Sequence, residues 1–338
     1  MEELFSNKLD PRKTKGVQIN NIRSEIEKRK TLDKELLGLN QQKINKCNVC
    51  GCPEQTNIDF ETNGYSWIKC PECTHVYKNM MPDNDAMTNY FKKATTHVYL
   101  DESSFDFRVK NIAQPKYDFM MRYVKNKIGR WLDLATGVAD LPYLLKLNKW
   151  DFDATELYRA FLDFAEKKTG IRPKQITLLQ YYDMFLDNKM ELFDVIGAFG
   201  YYDLLSDPLE HCKIINRMLK PGGFHGINIP NSNSLSGALV EYLPHSSLRM
   251  STPITISSFT YKSMVKMLGL AGFEVEGILW HGLDIHELLM RIIELDHNFK
   301  DSKAYNLLYE NINELQHVID KAKKSDLLLI CAKKVREV

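Results

Sequence analysis

No run of the 338 residues comes near eighteen consecutive apolar side chains, and the opening stretch, MEELFSNKLDPRKTKG, lacks the apolar centre of a secretory leader. Neither a membrane span nor export is expected, and the sequence reads as cytoplasmic. Charge of one sign is also missing. Forty-five Lys and Arg stand against forty-four Asp and Glu, a formal net charge of +1, so there is no general electrostatic attraction to nucleic acid or to an anionic membrane. A small or specific ligand is favoured. No internal repeat and no low-complexity tract is found, which argues against a solenoid. A paired disulfide framework is absent too: the cysteines number seven, and five of them fall within residues 47–73. That crowding points to metal or to reduced thiols.

What is present divides the chain. Its length suits one sizeable domain plus a smaller module. The expected division is an N-terminal helical segment over 1–45, a cysteine module over 46–82, a helical connection over 83–124 and a large domain over 125–338 with a helical insertion at about 284–324. In the first segment Ile19, Ile22 and Ile26, then Leu32, Leu36 and Leu37, mark one apolar helical face, which packs on its own chain or on a partner helix. From residue 125 onward apolar strands alternate with helical stretches: RWLDLA, a helix over LPYLLKLN, DFDATEL, a helix over RAFLDFAEKKTG, then QITLLQ, FDVIGAF, a helix over LEHCKIINRML, and FHGINI. That rhythm indicates an α/β fold with a parallel sheet covered on both faces.

Cys47 and Cys50 are separated by two residues, Cys70 and Cys73 likewise, and nineteen residues lie between the pairs. Two tight knuckles can converge on one tetrahedral Zn²⁺. A closed four-sulfur shell leaves no open coordination position, so the expected role is structural. Cys52 is the spare thiol, standing in for Cys50 or remaining outside the shell. The intervening GCPEQTNIDFETNGYSWI is acidic and aromatic, unlike a basic DNA-reading helix.

The second motif, LDLATGVADL, follows a strand and opens a helix, where backbone N–H groups approach a cofactor closely. Of its three small positions only Gly137 is glycine; Ala135 and Ala139 hold the other two, and a Cβ is cheap there only at negative φ. About twenty residues beyond the turn, Glu156 ends the second strand, where a carboxylate can accept both hydroxyl hydrogens of a ribose. Asp183, read as ending a third strand, is placed to accept an adenine amino hydrogen, with Tyr182 or Leu157 covering the ring.

These stretches together resemble the class I S-adenosylmethionine-dependent methyltransferases, in particular the bacterial small-molecule group with an N-terminal zinc module. CNVCG and GYSWIKCPECTHVYKNMMP are similar to that group's cysteine pattern, and the segment from ELFDVIGAF through LKPGGFHGINI to LGLAGFEVEGI follows its fourth, fifth and sixth strands in order. The resemblance implies a Rossmann-like, doubly wound sheet of seven strands with one antiparallel strand, DLLLICAKK, inserted near the edge. It implies S-adenosylmethionine held by Asp133, Ala135, Gly137, Ala139, Glu156, Leu157, Tyr182, Asp183 and Phe199. Where members of the group commonly carry Leu-Glu-His after the fourth strand, this chain has Tyr202, Asp203 and Leu204; where a second histidine is frequent it has Thr255. Catalytic candidates are therefore Asp203 and Tyr202 beyond the fourth strand, with His245 and His281 after the fifth and sixth. The expected activity is methyl transfer to a small metabolite such as a sugar nucleotide, a surface-glycan or a natural-product intermediate. The other classes left open are a cofactor-binding but silent scaffold or partner subunit and a nucleic-acid methyltransferase. The insertion, read as two amphipathic helices with Leu308, Ile312, Leu315 and Ile319 on one face, is a lid or a homodimer surface.

Overall fold

The computed structural model describes residues 1–5, 22–53, 58–62, 64–93, 102–125, 129–240, 242 and 254–338, so Ile19 and His245 lie outside the described residues. Its strands, in chain order, are β1 (Glu2–Phe5), β2 (Gln41–Lys43), β3 (Ile58–Thr62), β4 (Tyr65–Lys69), β5 (Val76–Lys78), β6 (Met80–Pro82), β7 (Arg130–Leu134), β8 (Asp151–Ala154), β9 (Phe193–Phe199), β10 (Leu219–Pro230), β11 (Ser257–Ser258), β12 (Phe273–His281) and β13 (Leu327–Lys334). Seven of them form one sheet in the order β1-β12-β13-β10-β9-β7-β8. Every pairing is parallel except those of β13, which runs antiparallel to β10 and β12.

The strands are apolar on both sides because both sides are covered. Ile196, Ala198, Ile227, Ile229 and Ile330 enter one core, while Val195, Trp131, Leu329 and Cys331 enter the other. The period-2 alternation of a pleated strand sends neighbours to opposite faces.

The seven strands are not the seven expected. QITLLQ forms no strand: Thr177 caps the helix Leu178–Asp187 by a reciprocal exchange with Gln180, and Leu178, Tyr181 and Phe185 bury one helical stripe. A Thr with Gln three residues on is a helix-start signal that overrides the β propensity of Ile and Thr. Among the described residues only the bridge Thr155–Lys174 remains at that edge. The seventh strand is β1, which adds in parallel at the opposite edge beside β12. The insertion also differs, as helices Asp284–Leu295, Lys303–Glu310 and Ile312–Lys321 with a 3₁₀ turn His297–Asp301 between the first two. A break at Asn311 separates Leu308 from Ile312, although both join one small core. In the helix Ile22–Leu37, Leu36 is buried and Leu37 is exposed, so the expected stripe is narrower than LeuLeu suggests.

The cysteine segment carries a second sheet, β11-β5-β4-β3, whose first strand comes from the large domain. Val49, Ile68 and Tyr77 share a continuous core with Ile229, Phe259 and Met264. β7, β8, β9, β10 and β12 end, and β13 begins, along one carboxyl edge, the place where open α/β sheets gather ligands.

Candidate active site and thiol cluster

The turn after β7 is held from several directions. Thr136 N–H donates to the Thr155 carbonyl at 3.0 Å, its hydroxyl to Asp133 Oδ2 at 2.5 Å, and Gly137 N–H to Glu156 Oε2 at 2.7 Å. Ala135, Gly137 and Ala139 all have left-handed φ, of 51°, 61° and 59°. The condition for a cheap Cβ, negative φ, is therefore met at neither alanine. The reason is geometric: the chain must reverse from strand to helix within five residues, and the backbone follows the glycine-rich path without the glycines. A Cβ on Gly137 would meet nothing within 4 Å, so the turn borders open space.

Glu156 is buried, and its other oxygen accepts from Leu157 N–H at 2.7 Å and Tyr158 N–H at 2.9 Å. Burial raises its pKa while these backbone donors oppose the rise. A carboxylate offers about four lone-pair sites, so three N–H groups leave room for a hydroxyl. Asp133 is pushed up to about 7 by burial, against the opposing Thr136 hydroxyl and Lys116. Its Oδ1 is buried without a hydrogen-bond partner and faces the Phe199 ring across Gly197. Lys116 stands 5.2 Å above that ring, and Arg108 pairs with Asp140 at 2.9 Å while its Nε lacks a partner. Asp133 Oδ1 and Arg108 Nε are thus unpaired near a turn that borders open space, and unpaired polar atoms of this kind suit a charged ligand.

Two other predicted residues sit elsewhere. Tyr182 and Asp183 lie in the helix Leu178–Asp187 and not at a strand end; Asp183 is exposed, and Tyr182 is half-buried against Phe185. Leu157 is half-buried, and its carbonyl accepts from Gln175 at 2.8 Å. Gln175, Thr136, Lys116 and Arg108 were not singled out from the sequence; only Thr136 carried a local signal, a hydroxyl three residues after Asp133.

Of the catalytic candidates, Asp203 is buried in the 3₁₀ turn after β9, with Oδ1 unpartnered, and burial pushes it up to about 6. Tyr202 belongs to the core: its hydroxyl bonds His225 Nε2 at 2.7 Å, and His225 Nδ1 meets the Ile196 carbonyl at 2.8 Å. Nδ1 therefore carries the proton and Nε2 accepts from the tyrosine. That chain runs away from the carboxyl edge. His281 ends β12 and bonds Asn228 Oδ1 at 3.2 Å, while Asn228 is paired with Phe199. His281, Asn228, Phe199 and Asp133 thus share one face of the sheet.

The thiols of Cys47, Cys50, Cys70 and Cys73 all lie within 4.8 Å of one another, with Cys47–Cys73 at 3.6 Å and Cys50–Cys70 at 3.5 Å. The edge of a tetrahedron with sulfur at about 2.3 Å from its centre is about 3.8 Å, so the cluster fits one four-sulfur ion. Both knuckles are built alike. Cys47 N–H reaches the Cys52 carbonyl and Gly51 N–H the Cys47 carbonyl; Cys70 N–H reaches His75 and Thr74 N–H reaches Cys70. Gly51 and Thr74 fill the same left-handed position, at φ 75° and 63°. Cys52 is not one of the four.

Residues 107–277, just over half of the 338, match the family model described as a methyltransferase domain. The chain belongs to that methyltransferase family. With the turn and the sheet order above, it is a class I, Rossmann-like, S-adenosylmethionine-dependent methyltransferase. Solved structures similar to this methyltransferase include an S-adenosylmethionine-dependent methyltransferase from Archaeoglobus fulgidus, 16% identical, covering 71% of this chain and 100% of that chain with a TM-score of 0.48. Another, from Mesorhizobium loti, is 15% identical and covers 67% of this chain and 99% of that chain, with a TM-score of 0.42. No curated protein matches the sequence. Among the described residues no helix is long and apolar enough to cross a membrane.

Proposed function

We propose that the methyltransferase acts on a small metabolite, a sugar nucleotide, surface-glycan or natural-product intermediate, in the cytoplasm, and that the cysteine module holds one structural Zn²⁺ through Cys47, Cys50, Cys70 and Cys73. The observation that carries the cofactor assignment is the pairing of Gly137 N–H with Glu156 at 2.7 Å beside an open turn. Bound S-adenosylmethionine supplies an electrophilic sulfonium methyl. Glu156 then orients the ribose, the N–H groups around Gly137 approach the cofactor, Asp133 and Arg108 offer their unpaired atoms to its charged end, and Phe199 walls the site. Leu157 with Gln175 faces the adenine side. Asp203 is the base we favour: burial raises its affinity for a proton, so once ionised it takes one from an acceptor hydroxyl more readily than an exposed carboxylate. His281 positions the acceptor through the face it shares with Asn228. The chain divides at residues 45, 82 and 124 into a helical segment, the cysteine module, a helical connection and the methyltransferase domain.

A silent cofactor-binding scaffold is the second reading, favoured by the two alanines in left-handed backbone. Calorimetric titration with S-adenosylhomocysteine, followed by methyl transfer from labelled S-adenosylmethionine to a panel of sugar nucleotides, separates the two. Binding with turnover supports the enzyme reading with this substrate class. No binding at millimolar ligand removes the cofactor assignment.

A further inference from the structure

A cavity of about 680 Å³ lies where the cysteine module meets the large domain. It shares no residue with the turn at 133–139, with Glu156 or with Phe199. The cofactor candidates line the β7-β8-β9 half of the carboxyl edge; this cavity lies over the other half, beyond the end of β10 and the start of β13. Lys69, directly before Cys70, stands on the module side, while Lys262, Lys323 and Lys324 come from the large domain. Thr74 and Thr260, whose hydroxyls are 2.6 Å apart, join the two sides.

Four lysines against Glu3 and Asp59 leave a positive excess in a chain that is almost neutral. Lys323 is paired with Glu3 at 2.7 Å and Lys324 donates to Asn233 at 2.8 Å. Lys69 and Lys262 have no acidic partner among the described residues. Among the residues that line the cavity, the Ser258 hydroxyl and the Trp280 indole N–H are buried with no hydrogen-bond partner, a rare condition in a folded protein. Tyr261 packs on Trp280 at 5.7 Å between ring centroids, giving the cavity an aromatic side. The volume is that of an organic ligand, well above what a lone phosphate fills.

We propose that this cavity binds a diphosphate-bearing organic molecule, with Lys69 and Lys262 on the phosphates and the aromatic side against an attached ring. Lysines act as point charges on phosphate, and unpaired ones gain most from an anion. That the bound molecule is the methyl acceptor rests on the function proposed above; that it binds does not.

Calorimetry on the full chain tests this with uridine diphosphate and inorganic pyrophosphate as probes. Uridine diphosphate should bind, and more tightly than pyrophosphate. Lys69→Ala with Lys262→Ala should weaken it about tenfold or more, through loss of two charge-assisted contacts. Lys69→Arg with Lys262→Arg should restore most of the loss, and S-adenosylhomocysteine affinity should stay unchanged in both variants. No binding of uridine diphosphate at millimolar concentration, or binding that ignores the alanine pair, overturns the proposal. Equal affinity for pyrophosphate overturns the organic ligand. Uridine diphosphate binding in a wild type that fails to bind S-adenosylhomocysteine supports the cavity and refutes the cofactor reading instead.

Discussion

Replacing Ala135 by glycine should stabilise the protein, whereas the same change at Ala139 should leave it almost unaltered. Both alanines adopt left-handed backbone, at φ 51° and 59°. An L-residue there costs roughly 1–2 kcal/mol, which glycine relieves. Glycine in turn gives the unfolded chain more freedom, a loss of about 0.4–1 kcal/mol. For half-buried Ala135 the balance is a gain of about 0.5–1 kcal/mol. Ala139 is fully buried, so its methyl takes about 0.8 kcal/mol of burial with it and the balance falls near zero. At about 2.1 cal/mol/K per residue the 338-residue chain unfolds with an entropy change of about 0.7 kcal/mol/K, so 1 kcal/mol moves Tm by about 1.4 °C. Differential scanning calorimetry should therefore find Ala135→Gly raised by about 0.7–1.5 °C and Ala139→Gly within about 0.5 °C of wild type. A fall in Tm for Ala135→Gly would show that Ala135 does not occupy the left-handed region in solution. Gly137→Ala completes the set: nothing stands within 4 Å of its new Cβ, so the protein should fold with only the φ penalty of about 1 kcal/mol, yet lose cofactor affinity because that methyl projects into the open space beside the turn.

Three further outcomes are expected. Glu156→Ala should weaken S-adenosylhomocysteine by roughly 1.5–3 kcal/mol, because a charge-assisted acceptor is removed and three N–H groups are released; unchanged affinity in calorimetry would point to another carboxylate. Asp133 has a folded pKa of about 7 against an ordinary 3.8, so the folded chain holds the extra proton between those values. Its contribution to stability is present at low pH and is lost as pH rises toward and through 7, and Asp133→Asn, which can still accept from Thr136, should flatten Tm against pH in that window; an unaltered slope refutes the assignment. Purified protein should carry about one zinc per chain, lost together with a lower Tm when Cys70→Ser and Cys73→Ser are combined; metal retained by that double variant contradicts the four-thiol site.

The parts legible in the sequence were those fixed by local spacing or by near-continuous apolar strands. The cysteine pairs and the strands FDVIGAF and DLLLICAKK are of that kind, because either a tight two-thiol knuckle or burial on both faces dictates the residues. The third strand was misread since Ile176 and Thr177 are good strand formers, and only the Thr177–Gln180 exchange decides for a helix. β1 was invisible because four residues, EELF, carry almost no pattern; their place is set by the free edge of β12, a long-range effect. Tyr202 and Asp203 are sequence neighbours with opposite surroundings: one hydroxyl is absorbed by His225 in the core, the other side chain keeps an unpaired oxygen. Adjacent positions in a single 3₁₀ turn point different ways, so no spacing rule could have separated them.

The joining of β5 to β11 explains why a cysteine cage precedes a cofactor turn. β11 lies in the segment between β10 and the helix Tyr261–Leu270, and Ile256, just before it, donates to the Asp203 carbonyl at 2.8 Å while its own carbonyl accepts from Lys78 at 3.0 Å. A backbone path therefore runs from the cysteine module, through Lys78 and Ile256, to the turn that carries Asp203. Two strand residues alone are too short to hold their own conformation; β11 is ordered by pairing with β5, and β5 follows directly from the second knuckle. Whatever fixes the four thiols thus also fixes the loop beside the proposed base, without any cysteine approaching the reacting atoms.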